Sequence, residues 1–480
     1  MTRRLSLFLL IASFAGSCAP HPSIPPPTLT PYPPLQTQGP YLLFLRDNKN
    51  LTVMDADGRG WKPIHLPNDG YIPARRRTSF ENAVSPDGKW LAYFTGSMAE
   101  PYDLALHLLD LEDETTSRIT RLIAPGFPEN LEPVRTSDPA ELEGCTEGAC
   151  RTNLIESAFR EGIESIAWSP DSQSLAFAAQ IHGPSSDVYV FSLEDKRVRK
   201  LVDDLENVWQ IDWSPNGERI LYQNSTAGLR YMTAYIYVAD PGQKLVQSPD
   251  VIADGKFGYE YGWIAENLYL VAHGGEGTPP QNFRYINIET QQIIDLWPYT
   301  AQSYAIEPGG ETLVVSTIPG GYFNNAPDEG TYIVPLIGNY SKIADDRFVL
   351  YDGFRESQVF GRQKDQIYSI LLDGSIILVG PSEWNESQQP IMASPNQEWI
   401  FLLENENRIT LYTAETYEPK KSWDFNETIY RISWRPDSLG AFLLTDRYIY
   451  YLSVPDGEPV RLQDCSPNIR CPNRDFLWRP

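Results

Sequence analysis

Histidine and cysteine are scarce in these 480 residues, with five of each. No HExxH or other closely spaced His pair occurs, so a zinc-hydrolase motif is excluded. A Gly-x-Ser-x-Gly elbow is missing as well, which leaves an α/β serine hydrolase without its nucleophile. Basic residues are in deficit, 39 Lys and Arg against 63 Asp and Glu. The resulting net charge of −24 repels a phosphate backbone over most of the surface, and no nucleic-acid partner is expected. Apolar runs of roughly 20 residues, the length that crosses a bilayer, are absent. Outside the first twenty residues no stretch carries a helical apolar stripe. Asp55-Ala56-Asp57-Gly58 opens like a calcium loop but lacks the later ligands and the closing Glu, so it reads as a turn between strands. Neither a metal site nor a cofactor is expected.

The N-terminus is informative. Arg3 and Arg4 precede an apolar run from Leu5 to Phe14, the length of a secretory h-region and too short for a stable span. Ala15-Gly16-Ser17-Cys18 follows. These residues resemble the lipobox of bacterial lipoproteins, with Ala15 where the family usually has Leu. The resemblance implies cleavage after residue 17 and a diacylglycerol on Cys18, whereas an ordinary secretory signal cut nearby is the plainer alternative. Pro20, Pro22, Pro25, Pro26, Pro27, Pro31, Pro33, Pro34 and Pro40 then make residues 18–40 a polyproline-rich tether, reaching on the order of 60 Å if extended. The remaining cysteines fall into two close pairs, Cys145 with Cys150 and Cys465 with Cys471, as disulfides of an exported protein would. A four-thiolate zinc site lacks paired CxxC spacing.

One phrase dominates residues 41–480. It appears as Ala83-Val84-Ser85-Pro86-Asp87-Gly88, Ile166-Ala167-Trp168-Ser169-Pro170-Asp171, Ile211-Asp212-Trp213-Ser214-Pro215-Asn216-Gly217, Met392-Ala393-Ser394-Pro395-Asn396 and Ile432-Ser433-Trp434-Arg435-Pro436-Asp437. Weaker versions lie at Ala305–Gly310 and around Trp263. The spacing, mostly about 40 to 50 residues, is that of a propeller blade. In each copy an apolar strand enters a tight turn preset by Pro, Asp or Asn and Gly, and a second strand resumes. Third strands are expected at 187–193, 234–239, 408–413 and 448–453. Their alternation of apolar and polar residues fits half-buried antiparallel strands. Phe476 to Pro480 begins the phrase with nothing after it, and Tyr41 to Leu45 reads as a second strand with no first. The reading is therefore all-β: a propeller of four-stranded antiparallel blades, about eight with seven to nine possible, in which the terminal strands share one blade. Region 301–380 is the least regular and looks oversplit. An insertion at about 125–161, carrying Cys145 and Cys150, should project from one face.

The phrase and its terminal halves resemble the TolB-like and WD-repeat-like propellers of bacterial envelopes. That resemblance covers most of residues 41–480 and implies docking of a protein or peptide on a propeller face or at the central channel. The resulting expectation is an exported, lipid-anchored, monomeric propeller that binds a protein or peptide partner without catalysis. The alternative is a propeller enzyme or lectin-like module acting on glycans or peptides. Asp212, Glu260 and Asp103 are acidic positions near strand ends that a channel-facing active site would have to bring together, and none is assigned a catalytic role. Trp209, Trp263, Trp297, Trp384 and Trp423 should mostly wedge between blades. Tyr259, Tyr261, Tyr322 and Phe323, in Gly-rich loops, are candidates for a recognition surface.

Overall fold

Each copy of the phrase builds the same turn. In the computed structural model, Ser85 Oγ donates to Asp87 Oδ1 at 2.6 Å and accepts the Trp90 N–H at 2.9 Å. Asp87 Oδ1 also accepts the Lys89 N–H at 3.1 Å. The same contacts recur at Ser169 with Asp171, Ser214 with Asn216 and Ser394 with Asn396. Gly88 and Gly217 take the left-handed conformation that closes this turn, which glycine adopts without steric cost. Ser172 and Ser438 occupy the same position with φ of 62° and 64°. Their hydroxyls accept the N–H of Asp87 and of Asn396 in the preceding repeat, both at 2.9 Å. A residue disfavoured on backbone grounds thus ties one repeat to its neighbour.

The structure describes residues 39–123 apart from 48, 73–79 and 98–99; 165–317 apart from 183–185, 205–206, 226–232, 244–250, 257, 274–280 and 309; 328–464 apart from 354, 356 and 384–389; residues 475–479; and residue 35. Blade 1 joins Tyr41–Asp47, Asn50–Asp55 and Trp61–His65 to Asp475–Arg479 as its innermost strand. Tyr41 lies opposite Arg479 and Leu45 opposite Asp475. The two ends of the chain therefore share one sheet, as their complementary halves of the phrase require. Blade 2 holds Trp90–Ser97, Glu100–Asp110 and Thr116–Arg121, with Val84 bridged to Leu91 in place of a first strand. Blade 3 runs through Ile166–Trp168, Ser174–Ala179, Asp187–Ser192 and Val198–Val202. Blade 4 follows with Asn207–Trp213, Ile220–Ser225, Thr233–Ala239 and Val251–Lys256.

The 15-residue strand Gln292–Ile306 then serves two blades. Its first half pairs with Gln281–Asn287 and completes blade 5, begun by Gly258–Ala265 and Leu268–His273. Its second half pairs with Thr312–Thr317 and starts blade 6, which continues through Gly330–Pro335 and Ser341–Ala344. Blade 7 is Val349–Tyr351, Gln358–Gln363, Gln366–Leu371 and Ile376–Pro381. Blade 8 is Ile391–Ala393, Trp399–Asn405, Arg408–Thr413 and Pro419–Asp424, and blade 9 is Ile429–Trp434, Gly440–Thr445, Tyr448–Ser453 and Val460–Asp464. Among the described residues the sheets thus resolve into nine blades, the upper end of the expected range. Region 301–380 is not oversplit. It holds blades 6 and 7, and blade 7 escapes the repeat pattern because Asp352-Gly353 replaces the Ser-Pro-Asp turn.

Each seam between the described blades holds a cluster of apolar side chains. Leu221 of blade 4 packs on Tyr269 and Val271 of blade 5, and Phe442 and Leu444 of blade 9 pack on Leu42, Phe44 and Met54 of blade 1. Second strands, caught between two such seams, are buried almost throughout: Thr312–Thr317 and Gly440–Thr445 expose no residue. The expected alternation fails there because both faces of the strand meet protein, and a fully buried strand reads as a continuous apolar run. Fourth strands such as Thr116–Arg121 lie largely exposed at the rim. Trp297 and Trp423 are buried between strands as expected. A further tie comes from the tryptophan of the phrase. Its indole N–H reaches the innermost segment of the preceding blade: Trp168 to Ala83 O at 3.3 Å, Trp213 to Ala167 O at 3.0 Å, Trp434 to Met392 O at 3.2 Å, and Trp478 to Ser433 Oγ at 2.9 Å.

Candidate functional site

Strands alternate in direction within a blade, so the Ser-Pro-Asp turns all fall on one face. Loops between second and third strands, and connectors from one blade to the next, fall on the other. At this face the chain passes from blade 2 to blade 3. The chain leaves the described fold at Ile123, bridged to Gln180, and returns at Ser165, whose carbonyl accepts the Ala178 N–H at 3.0 Å. Both points flank the second strand of blade 3, and the chain continues past that strand to His182.

His182 is solvent-exposed and heads a relay into the blade. Its Nδ1 lies 2.8 Å from the Tyr189 hydroxyl. That hydroxyl donates to Asp187 Oδ2 at 3.2 Å. Lys200 Nζ meets the same carboxylate oxygen at 2.7 Å, and the Asp204 N–H donates to Asp187 Oδ1 at 3.0 Å. Asp203 closes the group as a second partner of Lys200. Asp187 and Tyr189 sit two apart on the third strand and so share a face. Asp187 is only 1% exposed. Burial pushes its carboxyl above the ordinary range, and Lys200 and the Asp204 N–H pull it part of the way back. Burial and the Asp187 charge push the Tyr189 hydroxyl well up, so it keeps its proton. Desolvation works against the Lys200 ammonium, but its bonds to Asp187 and Asp203 outweigh that and hold it above its ordinary range.

The direction of these bonds sets the histidine tautomer. Since the single Tyr189 proton goes to Asp187, the ring must donate from Nδ1 to the Tyr189 oxygen. Nε2 then carries the ring's lone pair. His107 makes the contrast. It bonds Thr95 Oγ1 at 3.0 Å and stacks on Tyr93, and burial with nearby Arg118 holds it below its ordinary range. It is a packed, neutral ring.

A second feature of the loop face is an open cavity of about 370 Å³ at the top of blades 7 to 9, lined by Glu383, Asn405, Glu406, Asn407, Asn426, Glu427 and Thr428. Its carboxylates, amides and hydroxyl suit a cationic or hydroxyl-rich group.

The acidic positions singled out from sequence lie on three different blades. Asp212 lies on the inner strand of blade 4, its carboxyl pushed up to about 7 by burial. Glu260 lies on the inner strand of blade 5, and Asp103 is exposed on the third strand of blade 2. Tyr259 and Tyr261 belong to that inner strand of blade 5 rather than to a loop, because the glycines around them fall within a strand. The strands also place Trp209 and Trp263 on the inner edges of blades 4 and 5. Gly58 N–H bonds Asp55 O at 2.8 Å, making residues 55–58 the expected turn. Cys18, Cys145, Cys150, Cys465, Cys471, Tyr322, Phe323, Trp384 and the body of the insertion lie outside the described residues. His182, Tyr189, Asp187 and Lys200 were missed because they form no contiguous motif. The available signal was Asp187 and Tyr189 on one strand face, just past a histidine.

No protein-family model matches the chain. A 54-residue segment is 43% identical to the "Uncharacterized peptidase YuxL" of Bacillus subtilis, a match spanning 11% of this chain and 8% of that protein. Among solved structures, a eukaryotic initiation factor superposes with a TM-score of 0.54 at 13% identity, over 92% of this chain and 99% of its own. At that identity the likeness concerns the fold alone. TolB from Acinetobacter baumannii gives a TM-score of 0.31 at 16% identity, over 72% of this chain and 65% of its own, too low to argue from. The fold is a β-propeller. The expectation of a non-catalytic protein is corrected here: the chain shares sequence with a protein named as a peptidase, and its loop face carries a histidine relay that motif searching could not assemble.

Proposed function

We propose that this protein acts on peptides at the loop face of its propeller, with His182 as the proton-transferring group. The observation that carries the reading is the relay His182–Tyr189–Asp187, which leaves Nε2 as an acceptor. In hydrolysis, Nε2 takes a proton from water as its oxygen bonds the peptide carbonyl carbon, and returns it to the amine as the C–N bond breaks. Tyr189 and Asp187 are positioning residues that hold the ring. The segment shared with a protein named as a peptidase supports peptide as the substrate. Incubation with a peptide pool, read by mass spectrometry, tests the reading. Cleavage that falls at least a hundredfold in His182→Gln is expected, and an intact pool after incubation with wild-type protein overturns it.

Glycans are the second reading, favoured by Glu383, Glu406 and Glu427 at one cavity, since carboxylate pairs carry out glycoside hydrolysis. Turnover of oligosaccharides lost in Glu406→Gln and kept in His182→Gln would select it. Export and a lipid on Cys18 belong to the same proposal, as do Cys145–Cys150 and Cys465–Cys471 disulfides. Detergent-phase partition that is lost in Cys18→Ala is the expected result, with the tether holding the propeller near its membrane.

A further inference from the structure

We propose that the turn-face rim of blades 5 to 7 is a lipid-docking surface, which seats the propeller on a neutral bilayer with its loop face outward. The inference rests on the lipid anchor proposed above and adds which face the anchored propeller turns to the membrane. Large exposed hydrophobic side chains gather on these three consecutive blades: Ile293 and Ile294, Ile337 and Tyr340, Ile376 and Ile377. Ile293 and Ile294 follow the hairpin that joins the third and outer strands of blade 5, and Ile376 and Ile377 open the outer strand of blade 7. Ile337 and Tyr340 lie within the corresponding hairpin of blade 6, between Gly330–Pro335 and Ser341–Ala344. Third strands run toward the turn face, so all three pairs lie at that face, on the rim. Tyr340 packs edge-on against Trp297 at 5.0 Å and Tyr299 at 6.3 Å. The hairpin is thereby braced, and Ile337 stands 89% exposed in its bend.

Elsewhere the same positions are charged. The hairpins read Glu112-Asp113-Glu114 in blade 2, Glu194-Asp195-Lys196 in blade 3 and Asp456-Gly457-Glu458 in blade 9, against Ile337-Gly338-Asn339-Tyr340 in blade 6. Among the described outer strands, Ile376–Pro381 alone has no charged side chain. Exposed sheet edges are ordinarily guarded by charge, and a contiguous apolar patch marks an interaction surface. The position of the tether makes a membrane the occupant. Tyr41, where the polyproline stretch ends, opens the second strand of blade 1 opposite Arg479, and Arg479 packs against Gly88 of the Ser85 turn. The tether therefore enters at the turn face, the face that carries the patch. Residues 18–40 reach on the order of 60 Å, so a lipid on Cys18 holds that face near the bilayer at high effective concentration. Charge selects among occupants: a second copy brings another net −24 and anionic lipids repel as well, whereas a zwitterionic bilayer does neither. Tyr340 beside isoleucines matches a headgroup-level ring next to side chains that enter the acyl boundary.

The test uses the full-length chain purified from host membranes and reconstituted in phosphatidylcholine vesicles, part of whose lipid is brominated along the acyl chains. A fluorescent dye is placed on Ile337→Cys and, in a second protein, on Arg447→Cys, between the second and third strands of blade 9. Label on native cysteines is subtracted with the unsubstituted protein. Brominated lipid should quench the dye at position 337 about twofold or more and leave the dye at 447 unchanged, as for a side chain seated in the interface. No quenching at 337, or equal quenching at both positions, overturns the surface. So does a dimer in solution that Ile337→Asp dissociates, since a second copy then covers the patch. Quenching at 337 while Cys18→Ala keeps its detergent-phase partition upholds the surface and counts against the lipid on Cys18 alone. Partition lost in Cys18→Ala, with no quenching at 337 in the lipidated protein, counts against this surface alone.

Discussion

On the turn face, four repeats make the same serine-to-carboxylate or serine-to-amide clamp, and neighbouring repeats are tied by indole and serine hydrogen bonds. On the loop face no residue pattern recurs. The relay at His182 occurs in blade 3, the acidic cavity lies over blades 7 to 9, and the insertion lies between blades 2 and 3. The difference shows how a repeat protein divides its work. A contact that must be made at every seam imposes a shared sequence, whereas chemistry needed once is free to sit in a loop that copies nothing.

That division can be broken from either side. The largest effect is expected from removing residues 471–480, which takes away the inner strand of blade 1 and strips Tyr41–Asp47 of one of its two partners. Cooperative unfolding should be lost in calorimetry, and a normal melting transition would show that the shared blade is dispensable. Next is Trp213→Phe, which leaves the Ala167 carbonyl without its indole donor. Urea unfolding should show a loss of about 1–3 kcal/mol.

Asp212→Asn sharpens the comparison through pH. Burial places the folded carboxyl at about 7, against an unfolded value near 4. Between these values the folded protein keeps a proton that the unfolded chain has released, so stability is greatest below about pH 4 and falls as the pH rises to 7. The Asn variant should therefore gain on the order of 2 kcal/mol at pH 8 and nothing at pH 4, the partial exposure of the group reducing the full shift. The smallest effect on stability belongs to Tyr189→Phe. It cuts the relay without opening a cavity, and peptide turnover should fall about tenfold with KM unchanged, as for a group that only orients the ring.

How much was legible in sequence follows the same line. Ser85-Pro86-Asp87-Gly88 and its copies announced the turns, and Phe476 to Pro480 announced the shared blade, because local backbone chemistry repeats with the blade. The ninth blade hid behind Gln292–Ile306, which runs through two blades without a break, and behind Asp352-Gly353. Gly353 cannot carry a side chain, since a Cβ would lie 1.8 Å from the Gln358 carbonyl oxygen, so that turn is as constrained as the others but spelled differently. The site was illegible for another reason. His182, Tyr189 and Lys200 come from a loop and two strands, and only pairing in the sheet brings Asp187 to Lys200.

The central claim is that the turn face holds the fold and the loop face holds the chemistry. Melting temperature and peptide turnover measured side by side for His182→Ala and Trp213→Phe test it most directly. The account predicts opposite outcomes: His182→Ala melts with the wild type and loses turnover at least a hundredfold, while Trp213→Phe melts several degrees lower and keeps its rate below the transition. Equal loss of turnover in both variants, or full turnover in His182→Ala, would contradict it.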